Sequence, residues 1–133
     1  MQPDQLTLAV DPLNDGTIVP EVFSRYDRFA NRTVYIGEGH LPDARNTLSM
    51  YRSFATKSGN FNGTSKSAVK FSRDIGVPGA DGVSTLTAPV IIDISFSVPV
   101  GTPAAVILAM RQAAIALLDD DAVMVPLNSQ LMV

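Results

Sequence analysis

The segment from Pro103 to Leu118 is apolar on nearly every side, with Arg111 and Gln112 as its only polar side chains. Gly101-Thr102-Pro103 before it reads as a helix start, with Thr102 as N-cap and Pro103 at the first helical position. The pattern predicts a helix to Leu118, about 24 Å long at a rise of 1.5 Å per residue. A helix this apolar all round must be buried on most sides. One sheet covers one stripe of it, so the expectation is burial by a second subunit as well. Asp119-Asp120-Asp121 ends the helix, and Ala122–Leu127 reads as a short second helix broken at Pro126.

Strands precede the helices. Leu6–Val10 and Thr17–Val19 flank an Asp-Gly turn, Asp11–Gly16, and read as a hairpin. Glu21–Arg28 is mixed and carries no clear pattern. Arg32–Ile36 is β-branched and aromatic, a third strand. Thr47–Ala55 is the fourth, and Thr64–Arg73 the fifth after a polar turn containing Asn62-Gly63. Ile75–Thr87, with Gly76, Pro78, Gly79 and Gly82, reads as a long loop. Pro89–Val100 alternates most cleanly: Val90, Ile92, Ile94, Phe96 and Val98 on one face, and Ile91, Asp93, Ser95 and Ser97 on the other. About six strands followed by one or two helices define an α+β class with an antiparallel sheet. At 133 residues, with no internal repeat and no linker, residues 1–133 read as one domain.

Several functions lack their residues. Cysteine is absent, which excludes disulfides, thiolate metal sites and cysteine catalysis. No Ser-His-Asp spacing, nucleophile elbow, Walker motif or dinucleotide glycine pattern is present, so no catalysis, cofactor, metal or small-molecule substrate is expected. His40, the only histidine, sits between Gly39 and Leu41-Pro42 and reads as an exposed loop residue. The aspartate triplet reads as a solvated helix end, disfavoured by the helix dipole and compensated by Arg111 or a neighbouring subunit. The start of the chain has no basic and apolar leader pattern, and the longest apolar run, Ala104–Met110, is far below the ~20 residues that cross a bilayer. A soluble chain without a membrane partner is expected.

Charge is distributed unevenly. Arg45, Arg52, Lys57, Lys66, Lys70 and Arg73 fall between Ala44 and Arg73 with no carboxylate among them, although the net charge is −3. Strand geometry can gather such charges on one face, an electrostatic footprint for a polyanion. Alternation places Thr47, Ser49, Tyr51 and Ser53 on the polar side of the fourth strand, Lys66 and Lys70 on that of the fifth, and Asp93 on that of the sixth. Lysines there would neutralise phosphates, and Tyr51 would stack on an unpaired base. Against this stand plainer readings: a solvated sheet face, Tyr51 as a cross-strand packing residue, and Asp93 as a solubilising group or a salt-bridge partner of Lys70 or Lys66.

In this order and spacing the residues resemble the coat proteins of single-stranded RNA (levivirus-like) bacteriophages. The likeness is carried by the N-terminal hairpin with its Asp-Gly turn and by the polar and basic strand pair around Arg45–Thr56 and Thr64–Arg73. The Gly/Pro loop 75–87 adds to it, as does Ile92–Val100 followed by a capped helix ending in Leu117-Leu118. The resemblance implies an N-terminal β-hairpin, a five-stranded antiparallel sheet and two C-terminal helices that clasp a partner subunit. It further implies a homodimer that assembles into an icosahedral shell, with the open sheet face lining the interior against single-stranded genomic RNA. Such a protein resides in the virion, and in the bacterial host cytoplasm during assembly, and can repress replicase translation by binding an RNA hairpin. The implied RNA-binding residues are Thr47, Ser49, Tyr51, Ser53, Lys57, Lys66, Lys70, Ile91 and Asp93. Three of these depart from the family pattern. Ile91 stands where the family presents a stacking tyrosine, Asp93 where part of it has asparagine, and Ser53 where it often has arginine. The 75–87 loop would sit at the symmetry axes, without the disulfides that cross-link some relatives. The alternative reading is a stand-alone dimeric RNA-binding protein that forms no shell.

Overall fold

The computed structural model describes residues 2–129. Six strands form one antiparallel sheet in chain order. They are β1 (Gln5–Val10), β2 (Val19–Arg28), β3 (Arg32–Gly37), β4 (Asn46–Ser53), β5 (Thr64–Pro78) and β6 (Thr85–Pro99). Two helices follow, α1 (Ala104–Leu118) and α2 (Asp121–Asn128). The α+β class holds, with one difference in the sheet. The hairpin is not separate from a five-stranded sheet, because β2 belongs to both. It pairs β1 from Val10↔Val19 to Gln5↔Ser24, and β3 from Phe23↔Gly37 to Arg28↔Thr33. Beyond the stretch paired with β1, β2 carries a bulge between Arg25 and Asp27, which adds twist locally.

The expected loop 75–87 is mostly ladder. β5 and β6 stay paired out to Pro78↔Thr85, so the connection shrinks to residues 79–84. Pro78 and the glycines around it misled the sequence reading; Pro78 ends β5 opposite Thr85. Pro89 lies in β6, an edge strand, where the lost N–H is tolerated. Asp81 braces the turn, accepting from the Val83 and Ser84 N–H groups (3.0 and 2.9 Å) and from Ser84 Oγ (2.6 Å). At the opposite end Gly63, at φ +93°, packs on the backbone of Thr56 and closes the β4–β5 connection.

The pleat sorts the chain into two faces. On the apolar face Phe23, Tyr35 and Leu48 are completely buried, with Leu6, Leu8, Met50, Val69 and Phe71 packed against them. Phe23 meets Phe71 edge-on, centroids 6.3 Å apart. The Tyr35 hydroxyl donates to the Pro3 carbonyl at 2.7 Å, and burial raises its pKa above the usual phenol value. This core occupies the β1–β5 side. Toward β6 the same face is open: Val90 and Ile92 are about half exposed.

The helix start differs by one residue from expectation. Pro103 is the N-cap of α1 and offers no side-chain cap. Thr102 instead donates its hydroxyl to the Pro99 carbonyl (2.7 Å), tying the link back to β6. No residue of α1 is buried within the chain. Asp120 caps α2, accepting from Ala122 N–H at 3.0 Å. That helix runs through Pro126 rather than breaking there. Asn14, at the β1–β2 tip, donates to the Asp121 carboxylate at 2.6 Å. Two of the three aspartates therefore have local partners, and the triplet is a helix corner rather than a bare end.

Candidate nucleic-acid interface

Register fixes what lies on the polar face. Reading across β4, β5 and β6, one row is Thr47, Ser72 and Ile91; the next is Ser49, Lys70 and Asp93. A third is Tyr51, Ala68 and Ser95, and a fourth Ser53, Lys66 and Ser97. Thr47, Ser49, Tyr51, Ser53, Lys66, Lys70, Ile91 and Asp93 thus share one surface. Lys57 does not lie on the ladder; it precedes the Ser58–Phe61 bridge in the β4–β5 connection and is exposed.

The six basic residues of the central segment do not collect together. Lys66 and Lys70 face the polar side. Arg52 and Arg73 pair with Ser67 and Asn46 respectively, positions of the opposite face, and Arg73 forms an ion pair with Glu21 there. The Arg45 backbone N–H donates to the Asp74 carboxylate at 3.1 Å. Two-residue periodicity assigned the faces within β4 and β5 correctly. The expectation of a pooled charge failed because odd and even positions both carry cations.

Asp93 stands directly opposite Lys70. The ion pairs closed among the described residues are Arg25–Asp4 and Arg73–Glu21, so the Asp93–Lys70 pairing is a register neighbour and not a closed bridge. In an antiparallel pair, opposite charges so placed still attract. Tyr51 is 36% exposed, and its cross-strand neighbour is Arg32. The Arg32 guanidinium lies 5.9 Å from the Tyr51 ring centroid and 4.5 Å from that of Phe29. Arg32 was missed in the sequence because its strand reads as apolar and aromatic. Only the β3–β4 register brings it beside Tyr51.

His40 is half-buried rather than free in its loop, and its Nδ1 accepts from the Asn46 N–H at 3.0 Å, a structural tie. Among the described residues no cluster of three or more His, Cys, Asp or Glu could hold a metal ion. No described helix is long and apolar enough to cross a membrane.

A six-stranded antiparallel meander with a polar face, an incompletely covered apolar face and two apolar helices leaving the edge strand is the coat-protein fold of levi-like RNA phages. The chain matches the virus-like particle of bacteriophage AVE019 with a TM-score of 0.76 and 19% identity, covering 97% of this chain and 96% of that one. The virus-like particle of Beihai levi-like virus 32 matches at TM-score 0.65 and 22% identity, over 82% of this chain and 83% of the other. The bacteriophage EMS014 coat protein matches at 0.61 and 16%, over 89% and 74%. No protein-family model matches the chain, and no curated protein matches it in sequence.

Proposed function

We propose that the chain is a capsid subunit of a single-stranded RNA phage, a structural protein without catalysis. Two copies clasp through their helices, dimers assemble into a shell, and the polar sheet face meets RNA inside the virion. One observation carries this reading: α1 is apolar, yet none of its residues is buried. The apolar sheet face toward β6 is also half open, as at Ile92 (55% exposed). Two unfinished apolar surfaces in one chain are both covered if the arm of each copy lies over the sheet of the other. The shared fold supports the shell, since the matching structures include virus-like particles. Lys66, Lys70 and Tyr51 support RNA as the polyanion on the polar face, with Thr47, Ser49 and Ser53 as hydroxyl partners. Repression of replicase translation would use this same face to hold an RNA hairpin.

Electron microscopy and size-exclusion chromatography of the expressed protein test this. Shells tens of nanometres across carrying RNA are expected. A particle of about twice 14.2 kDa with no larger species would replace the capsid with a stand-alone RNA-binding dimer. A well-behaved single copy at micromolar concentration would end both readings.

A further inference from the structure

The meander sorts its connections to two ends of the sheet. Residues 11–18, 38–45 and 79–84 lie at one end; residues 29–31, 54–63 and the link 100–103 to α1 lie at the other. The first end carries Asp11, Asp15, Glu38, Asp43 and Asp81 against Arg45. The connections of the second hold no carboxylate, and their cation is Lys57. Its last rungs add Arg28, Arg32 and Arg52, with Asp27 among them. The charge of the sheet is therefore polarised along its strands. Each end also presents a small closed turn. In the β3–β4 connection Leu41 and Ala44 exchange backbone hydrogen bonds (3.0 and 3.1 Å), closing a turn over Pro42-Asp43. In the β4–β5 connection Ser58 and Phe61 do the same (2.9 and 3.0 Å), with Gly59 at φ +58°. Leu41 is 56% exposed in the acidic turn, and Phe61 is 54% exposed in the turn that Lys57 adjoins. Glu38, Asp43 and Lys57 are exposed and form no ion pair among the described residues. Both turns lie off the β4 ladder, apart from the polar rows and from the core rungs of the apolar face.

We infer that these two turns are the complementary halves of one contact between dimers of this chain. The Leu41–Ala44 turn of one dimer seats against the Ser58–Phe61 turn of the next, with Glu38 and Asp43 facing Lys57 and Leu41 packing on Phe61. Charge complementarity selects the occupant: two acidic turns repel, two lysine-bearing turns repel, and an acidic turn repels RNA, whereas unlike turns attract. Each turn sets one large apolar side chain beside charge, the apolar centre and polar rim of a protein interface. Both are closed by their own backbone bonds before contact, so little ordering is lost on docking. A contact between unlike surfaces is heterologous, and heterologous contacts close into rings, as a shell requires. Each exposed ion pair is weak, but a shell repeats it many times over. Lys57, which the polar rows leave aside, has a role in this contact. The inference rests on the capsid reading above and deepens it by naming the surfaces through which dimers join.

The test expresses the full chain and its variants and follows shells and dimers by electron microscopy and sedimentation velocity. Glu38→Lys with Asp43→Lys is expected to leave the dimer intact and to raise the protein concentration needed for shells about tenfold or more, since like charges then meet. The added lysines would strengthen RNA binding, so weaker assembly by this variant cannot come from lost RNA. Lys57→Glu should weaken assembly similarly. The three changes together restore opposite charges with the signs exchanged, and shells should return. Shells from every variant at the unaltered concentration overturn the contact and leave the capsid reading standing. Loss in both partial variants without recovery in the combined one overturns the pairing of these two turns. An unaltered protein that stops at the dimer overturns the capsid reading and the contact together. Circular dichroism checks folding. If a reversal variant does not fold, Asp43→Asn and Lys57→Gln decide: each should assemble several-fold more weakly than the unaltered chain at low salt, and the difference should vanish at about 1 M salt, where the screening length falls to about 3 Å. Assembly equal to the unaltered chain at low salt overturns the contact.

Discussion

Leu117→Asp tests the clasped arm most directly. Leu117 is 53% exposed in the single chain. Full burial of a leucine side chain is worth ~1.5–3 kcal/mol, so covering the remaining half contributes ~1 kcal/mol per copy. A twofold dimer holds two such residues, which makes the lost burial ~2 kcal/mol. The new carboxylate is more costly still. Left charged against apolar neighbours it costs several kcal/mol; protonated at pH 7 it costs at most ~4 kcal/mol, the distance from its ordinary pKa. Counting only ~1 kcal/mol per carboxylate gives a total near ~4 kcal/mol, roughly a thousandfold in the dimer dissociation constant. Sedimentation velocity at micromolar concentration should show loss of the soluble dimer. Acidification toward pH 4 should restore part of it, because neutralising a buried carboxyl removes its desolvation cost. Val83→Asp serves as the control: Val83 is 89% exposed in the β5–β6 turn, and its variant should dimerise normally. A Leu117→Asp protein that sediments as the unaltered dimer would refute the argument that α1 is buried between copies. Ile107→Asp, on the same helix, is expected to behave likewise.

Two further outcomes follow from the polar face and the β5–β6 turn. Lys66→Ala with Lys70→Ala should lower the RNA content of purified particles and reduce the salt slope of RNA binding by about 1.4; particles with full RNA content would remove these lysines from the interface. The Asp81 carboxyl is held down to about 2 by Ser84 Oγ first, then by the Ser84 and Val83 N–H groups. Its folded pKa lies below the ordinary 3.8, so its contribution is complete above that value and is lost as pH falls through about 2. Amide exchange at Val83 and Ser84 should therefore stay protected at pH 4 and accelerate only near pH 2, with loss of protection already at pH 4 contradicting the brace. Asp81→Ala should remove that protection at every pH.

The parts of the fold legible in the sequence were those written in local periodicity. Ile92, Ile94 and Phe96 alternate with Asp93 and Ser95, and their faces are as expected. The helix after Gly101 was legible because its composition admits one kind of element. What stayed hidden depended on partners. Glu21–Arg28 looked patternless because β2 serves two neighbours and carries a bulge, so no single alternation runs its length. Pro78 looked like a loop residue, yet the last position of β5, paired with Thr85, accommodates it. Arg52 already interrupted the apolar face of the fourth strand in the sequence pattern, and the pairing of β4 with β5 sets Arg73 on that face as well. Arg32 entered the candidate site by the same route, through its register with Tyr51. The proposed two-copy architecture has only a deficit for its signature, an apolar helix with no residue buried within its own chain.

The net charge of −3 does not oppose RNA binding once the charges are placed. Many of the carboxylates sit at the margins: Asp11 and Asp15 at the hairpin tip, Glu38 and Asp43 between β3 and β4, Asp81 in the β5–β6 turn, and Asp119–Asp121 at the helix corner. At physiological salt the Debye length is about 8 Å, so charges beyond that distance are largely screened from the lysines. What remains on the face is modest, namely Lys66, Lys70 and Arg32 beside Tyr51, with Asp93 set against Lys70. Two or three phosphate contacts give a shallow salt slope of about 2 and weak binding by any one subunit. A protein that needed to capture RNA as a free dimer would be poorly served by so few contacts. A shell is served well by them, because many weak faces fixed around one strand bind through effective concentration rather than individual affinity. The sparse charge of the polar face therefore favours a capsid over a stand-alone RNA-binding dimer.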